Sequence, residues 1–254
     1  MNSGARLLAV IPARGGSKGL PGKNTRLFAG LPLIAHSILY ARSCPEIDRC
    51  IVSTDAPEIA DVARRFGADV PFLRPKTLAE DSTSLFPVLR HSLVTLEETD
   101  DPFEYVLLLD PTSPARVPQD VPTALRRLKA EKDADGIVSV SQPDFNPIWN
   151  CVTDRNGWMT PLISEGVAFD RRQDVPTVYR INGALYIWRA EFLRKHEGSW
   201  REASKHLMYE IPESRAMSID SLSEFQRAEL LVTSGLIDFR WRETPPVSGG
   251  ESNY

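Results

Sequence analysis

Leu7-Leu8-Ala9-Val10-Ile11-Pro12, followed by Ala13-Arg14-Gly15-Gly16-Ser17-Lys18-Gly19-Leu20-Pro21-Gly22-Lys23-Asn24, is the stretch that sets the fold. Leu7 to Ile11 is apolar without alternation, the pattern of a central strand buried on both faces, and it stops at Pro12 and a glycine-rich loop. Ligands of an open α/β sheet bind at the carboxyl end of such strands. Four glycines permit close backbone approach, and Arg14, Lys18 and Lys23 supply positive charge, so the loop reads as a polyphosphate site. It is not a P-loop, because five residues separate Gly16 from Gly22 and Lys23 precedes Asn24. The dinucleotide GxGxxG spacing is absent too. A flexible basic turn is the plain alternative, and three cations directly after a buried strand weigh against it.

Strands and helices alternate outward from this loop. Leu33 to Ala41 has helical spacing, and Cys50 to Val52 is a short strand ending in Ser53-Thr54-Asp55, a plausible cap for a helix from Pro57 to Phe66. Leu85 to Leu96 predicts an amphipathic helix, Tyr105 to Leu109 an apolar strand, Val121 to Ala130 a helix and Ile137 to Val140 a strand. Repeated βα units of this kind predict a doubly wound α/β fold with a mainly parallel sheet. Gln142 to Val178, rich in Pro, Asn, Asp and Arg, breaks the rhythm and reads as an inserted arm carrying Trp149, Trp158 and Phe169. Ala184 to Trp188 and Met217 to Ile219 then read as strands and Glu224 to Thr233 as a closing helix ending at Gly235. One domain over residues 1–243 and a disordered tail over 244–254 are expected.

With 254 residues, 42% of them hydrophobic, the chain can bury one large core. Thirty basic against 34 acidic residues, without a like-charged block, argue against a nucleic-acid partner. Leu7 to Pro12 is too short for a membrane span and lacks the cationic start of a signal peptide, which predicts a cytoplasmic protein. Cys44, Cys50 and Cys151 have neither even number nor CxxC spacing, so reduced structural thiols are expected. His36, His91, His196 and His206 show no metal-binding spacing, and there is no Gly-x-Ser-x-Gly elbow.

Five motifs stand in order: the opening loop; Val52-Ser53-Thr54-Asp55; Leu73-Arg74-Pro75 with Leu78-Ala79-Glu80-Asp81; Pro111-Thr112-Ser113-Pro114; and Arg180-Ile181-Asn182-Gly183-Ala184-Leu185-Tyr186. In this combination the chain, from Leu7 to Leu231, resembles the acylneuraminate cytidylyltransferase family, the synthetases of CMP-sialic acid and their relatives acting on legionaminic and pseudaminic acids. The resemblance implies that CTP and an acidic nine-carbon sugar are substrates, that pyrophosphate is released, that Mg²⁺ is required and that the arm pairs two subunits. Carried over by match, Arg14, Lys18 and Lys23 would act on the triphosphate. Ala13, Gly15, Gly16, Ser17, Asn24, Arg74, Asp81 and Ser84 would complete the nucleotide site. Asp110, Thr112, Ser113, Arg180, Asn182 and Gly183 would face the sugar. Asp81 reads equally well as a cap for the Leu85 helix; a solvated strand end is the plain alternative for Arg180, and Asn182-Gly183 beside it weighs toward a site position.

The sialic acid enzymes carry a late Asp-Ile-Asp, whereas this chain has Ser218-Ile219-Asp220, and its central strand ends in Asp110 where those enzymes commonly have glutamine. In the wider nucleotidyltransferase superfamily, which the chain also resembles, an aspartate in that place pairs with a late aspartate to hold Mg²⁺. Asp110 and Asp220 are therefore the expected metal ligands, against an Asx-type turn as the alternative for Asp110. An eight-carbon keto-acid or a phosphonate as acceptor, or a nucleotide-binding scaffold without catalysis, are the competing functions.

Overall fold

A computed structural model describes residues 5–99, 102–202, 205–239 and 241. The chain runs β1 (Leu7–Pro12), β2 (Leu27–Phe28), β3 (Leu31–Pro32), α1 (Leu33–Arg42), β4 (Arg49–Ser53), α2 (Pro57–Arg65), α3 (Leu85–Glu97), β5 (Tyr105–Leu108), α4 (Asp120–Ala130) and β6 (Gly136–Ser141). It continues through α5 (Pro147–Asn150), β7 (Val152–Arg155), β8 (Trp158–Pro161), β9 (Arg180–Arg189), α6 (Ala190–Lys195), β10 (His206–Glu210) and α7 (Leu222–Thr233).

Six strands form one sheet in the order β10-β6-β9-β5-β1-β4. β1 pairs in parallel with β4 and β5, and β6 with β10, while β9 runs antiparallel between β5 and β6. The apolar run of β1 serves both faces of this sheet. Leu7, Ala9 and Ile11 join the core beneath α1, α2, α4 and α7, and Leu8 and Val10 join the one beneath α3 and α6. Burying alternate residues on opposite sides removes the need for polar alternation, which is why the strand reads as continuous hydrophobe. The doubly wound, mainly parallel fold expected from the sequence is thus the one observed.

The antiparallel β9 has a consequence for function. Its first residues, Arg180 to Gly183, lie at the same sheet edge as the carboxyl ends of β1, β4, β5 and β6, with Ser141 opposite Arg180 and Val140 opposite Ile181. An irregularity in register between Val138 and Val140 accommodates Asn182, whose side chain bonds to Ser139 and Ser141.

Two expectations fail. Met217 to Ile219 forms no strand: Ile219 is buried and its amide donates to the Thr112 carbonyl at 3.0 Å, but the Met217 amide turns back onto the Arg215 carbonyl and no ladder forms among the described residues. The sixth strand is instead β10, half-exposed at the sheet edge, where the polar residues of His206–Glu210 conceal it from an apolar-run criterion. Nor does any residue of Ser53-Thr54-Asp55 cap α2. The N-cap is Ala56, whose amide donates to Thr54 Oγ1 at 3.1 Å, with Pro57 in the first turn as expected.

Within Gln142 to Val178 the structure has the short α5 and a β7–β8 hairpin turned by Asn156 and Gly157, both with positive φ. Trp158 and Met159 are 78% and 79% exposed at its edge. At the other end of the chain, Trp241 donates to His36 Nδ1 at 3.1 Å and His36 Nε2 lies 2.8 Å from the Phe28 carbonyl, so His36 is a core residue. The segment 244–254 lies outside the described residues.

Candidate active site

The opening loop is held down by its neighbours before any ligand arrives. Ala13 N–H continues the sheet by donating to the Ser53 carbonyl at 2.9 Å, and Gly15 N–H donates to Asp55 Oδ1 at 3.0 Å. The carboxylate expected to cap α2 thus anchors the loop. Ser17 N–H turns back onto the Gly15 carbonyl, and buried Asn24 donates through Nδ2 to the Arg14 carbonyl at 3.2 Å. Gly22 takes φ 65°, the left-handed conformation that turns the chain into Lys23. Gly19 has a different reason: a Cβ there would sit 2.3 Å from the Asp220 carbonyl oxygen. The loop's far end is therefore packed directly against the segment preceding α7.

A cavity of about 370 Å³ opens over this loop at the carboxyl ends of β1 and β5. Arg14, Lys18, Lys23 and Arg74 reach it, and so do Glu80, Asp81, Asp110 and Asp220, giving four cations balanced by four carboxylates. Ser17 and Asn24 also line it, as does Thr112. Gly16 has open space where a side chain would project.

Each cation has a distinct situation. Lys23 Nζ, 12% exposed, donates to Asp220 Oδ1 at 2.7 Å. Arg14 Nη1 lies 2.6 Å from Asp81 Oδ1, and Lys18 pairs with the other oxygen of the same carboxylate. Arg74 is buried at 5% exposure, and its Nε and Nη2 find no hydrogen-bond acceptor; the nearest carboxylate oxygen, of Asp55, is 3.8 Å away. Burial, against the attraction of Asp55, lowers the Arg74 pKa from its ordinary range. Buried donors without acceptors are costly, and among the described residues none provides an acceptor for these two nitrogens.

Both expected metal ligands line the cavity. Asp110 Oδ1 accepts from Thr112 N–H at 3.0 Å, the Asx turn weighed as its alternative, and Thr112 in turn ties the 218–220 segment through Ile219. Asp220 Oδ2 accepts from Ser218 Oγ at 2.8 Å. Partial burial pushes the Asp220 carboxyl up, but the hydrogen bonds from Lys23 and Ser218 and the Lys23 charge outweigh it and hold the group below the ordinary aspartate range. It is an anion at neutral pH. Asp81 is likewise held low, first by the Lys18 hydrogen bond and then by Arg14.

The remaining expected residues sit around the cavity rather than in it. Ser84 is exposed as the N-cap of α3, and it is the preceding Thr83 that lines the cavity; Asp81 does not cap this helix. Ser113 and Asn182 are buried and Gly183 half-buried, and none of the three lines the cavity. Asn182 Oδ1 accepts from Ser139 Oγ at 2.6 Å, and Gly183 adopts φ 77° with Ser113 Oγ 3.1 Å from where a Cβ would be. Arg180 donates to Glu213 at 2.8 Å and to the Ala216 carbonyl at 2.9 Å, and with Met217 and Ser218 it lines a second cavity of about 490 Å³. Ser218 lines this second cavity and Asp220 the first, and the hydrogen bond between their side chains joins the two.

Sequence reasoning did not single out Arg116, the largest charged side chain in the core. Its guanidinium donates to the Asp110 carbonyl at 2.8 Å, to Ser37 Oγ at 3.0 Å and to the Ala184 carbonyl, fixing the end of β5 to β9 and α1. Burial lowers its pKa to about 10, so it stays charged at neutral pH. The apolar cavity residues Leu78, Leu85 and Val88 were also missed, since nothing in a helical pattern says which turn faces a ligand.

The sequence pattern of the cytidylyltransferase family matches residues 8–234. A CMP-N,N'-diacetyllegionaminic acid synthase of Legionella pneumophila is 37% identical over 89% of this chain and 96% of its own. A protein of the same name from Campylobacter jejuni is 33% identical over 90% of this chain and 96% of its own. A pseudaminic acid cytidylyltransferase of Campylobacter jejuni is 26% identical over 88% and 95%. In fold the chain is similar to a CMP:2-keto-3-deoxy-manno-octonic acid synthetase complexed with CTP, with TM-score 0.70 and 18% identity, covering 91% of this chain and 100% of that one. With its cation-lined cavity at the carboxyl edge of a doubly wound sheet, this chain belongs to the cytidylyltransferase family.

Proposed function

We propose that this enzyme joins CTP to an acidic nine-carbon keto-sugar, forming the CMP-sugar and pyrophosphate. The observation that carries the reading is the cavity itself, where Arg14, Lys18 and Lys23 converge beside the buried guanidinium of Arg74, whose Nε and Nη2 lack a hydrogen-bond acceptor among the described residues. The anomeric hydroxyl oxygen of the sugar attacks the α-phosphorus of CTP; a P–O bond forms to the sugar, the P–O bond to pyrophosphate breaks, and the hydroxyl proton is lost. Such transfer needs positioning and charge neutralisation more than covalent participation by the protein. Arg14 and Lys18 take the outer phosphates, Lys23 stabilises charge at the transferring phosphate, and Arg74 with Asn24 takes the nucleoside.

The names of the L. pneumophila and C. jejuni relatives favour a diacylated sugar acid as acceptor. Arg180 and the cavity it lines beside Ser218 support a site for part of that sugar.

The residues present fit Mg²⁺. Asp110 and Asp220 supply two hard oxygen donors in the same cavity, and the balance of four cations by four carboxylates leaves a bound triphosphate in need of added positive charge. Mg²⁺ would supply Lewis-acid neutralisation of phosphate oxygens. Asp220 would exchange its contact with Lys23 for the ion, freeing the lysine for phosphate, while Ser218 stays bound to the carboxylate from outside.

The exposed Trp158 and Met159 at the hairpin edge support an arm that pairs two subunits into a homodimer. No helix among the described residues is long and apolar enough to cross a membrane. The free thiols Cys44, Cys50 and Cys151 suit a reducing cytoplasm.

The test is a pyrophosphate-release screen of CTP, UTP, ATP and GTP against nonulosonic acids, 3-deoxy-octulosonic acid and aminoalkylphosphonates. Turnover confined to CTP with a nonulosonic acid is expected. Faster turnover with an octulosonic acid or a phosphonate would overturn the acceptor, and no turnover with any pair would overturn the enzyme.

A further inference from the structure

Asp81 lies in the turn between the short 3₁₀ segment Lys76–Leu78 and α3, where its carboxylate takes both Arg14 and Lys18. It does not serve the helix, whose N-cap is Ser84. Its neighbour Glu80 lines the same cavity with the same charge and forms no ion pair with these cations among the described residues. The cavity is meanwhile built for a ligand at its other end, where Arg74 keeps buried donors without an acceptor.

These facts conflict with Asp81 as a simple nucleotide contact. The Asp81 carboxylate occupies donors of Arg14 and Lys18 that a phosphate would use, and two anions held on the same two cations repel each other. The pairs are also made to exchange: the Asp81 side chain is 45% exposed and that of Lys18 81%, and exposed ion pairs contribute little net stability. We propose that Asp81 is an internal counter-anion that holds Arg14 and Lys18 in the free enzyme, yields them to the triphosphate, and recaptures them to expel pyrophosphate. The carboxylate keeps both cations ordered at phosphate-binding distance while empty of nucleotide, and it sets how tightly the leaving group is retained. This rests on the assignment of Arg14 and Lys18 to the outer phosphates.

The experiment is calorimetric titration of the full chain with inorganic tripolyphosphate and pyrophosphate in EDTA, comparing wild type with Asp81→Asn, Asp81→Ser and Glu80→Gln, each checked for a wild-type thermal melt. Removing the competitor should tighten both anions roughly three- to tenfold in the two Asp81 variants, the scale of two exposed ion pairs. Pyrophosphate should become a correspondingly stronger product inhibitor. Glu80→Gln should change affinity by less than about twofold, because it removes the same charge from the same cavity without freeing a cation. Unchanged or weaker binding by the Asp81 variants, with wild type binding normally, overturns the counter-anion and leaves the phosphate site standing. Equal tightening by Glu80→Gln also overturns it, by reducing the effect to the general field of the cavity. Failure of wild type to bind either anion overturns the phosphate site and the counter-anion together.

Discussion

Replacing Gly19 by alanine would put a methyl carbon 2.3 Å from the Asp220 carbonyl oxygen, against about 3.3 Å for the closest comfortable contact of carbon with oxygen. The obstacle is backbone, so rotation of a side chain cannot relieve it, and the loop or the 218–220 segment must retreat by about 1 Å. Both carry groups of the site: Lys23 and Asp220 lie on the two sides of that contact and are joined at 2.7 Å. Overpacking of this kind costs about 1–3 kcal/mol of stability, which a domain of this size survives. Misplacing reacting groups by 1 Å costs about 100-fold in rate. Gly19→Ala should therefore fold, with a lowered melting temperature, and lose about two orders of magnitude in kcat/KM for CTP in a pyrophosphate-release assay. Gly235→Ala is the control for lost stability alone, because its φ of 76° strains any side chain while nothing lies within 4 Å of its Cβ position, and it should stay within a few-fold of wild type. Near wild-type activity in Gly19→Ala, or equal damage from Gly235→Ala, would refute the claim that the loop's seat against Asp220 sets the catalytic geometry.

Lys23→Ala should lower kcat by about 10²–10³-fold while leaving the melt nearly intact, and a folded variant with normal kcat would exclude Lys23 from transition-state stabilisation. Asp110→Asn and Asp220→Asn should be comparably severe and should raise the Mg²⁺ concentration for half-maximal activity, whereas Ser218→Ala, outside the cavity, should be mild. If Asp110→Asn keeps wild-type Mg²⁺ dependence, its Oδ1 bond to Thr112 is its whole role. Light scattering should give about twice the 28.4 kDa chain mass for wild type, falling toward the monomer when Trp158 and Met159 are changed to serine and lysine; a monomeric wild type at micromolar concentration would refute the paired arm.

Much of this molecule was legible along the chain because its signals are local. Strand β1 announces itself since a strand buried on both faces has no polar alternation, and the three cations and four glycines of the loop after it read as an anion site. Pro57 at the start of α2 and Gly235 after α7 mark ends through their own backbone preferences. The ordered motifs placed the chain in its family, and the cavity gathers Arg14, Lys18, Lys23, Arg74, Asp110 and Asp220 from segments nearly 200 residues apart.

What only the tertiary structure decided is which partner each of those groups has, since partnership depends on what lies across space. Asp55 looked like a helix cap and is instead the anchor of Gly15; Asp81 looked like a cap or a nucleotide contact and holds two cations; Asn182 turns its amide into the sheet. Met217 and Ile219 are buried, but their segment makes only a single bond to the neighbouring backbone at Thr112 among the described residues, while the half-polar His206–Glu210 has a full ladder with β6. Arg116 could not be found from sequence at all, for a buried guanidinium is tolerable only where three separate segments, at Ser37, Asp110 and Ala184, bring acceptors to it. Composition and periodicity fix which residues must be buried and where the chain must turn, but hydrogen bonds and ion pairs between distant segments exist only once the fold has closed.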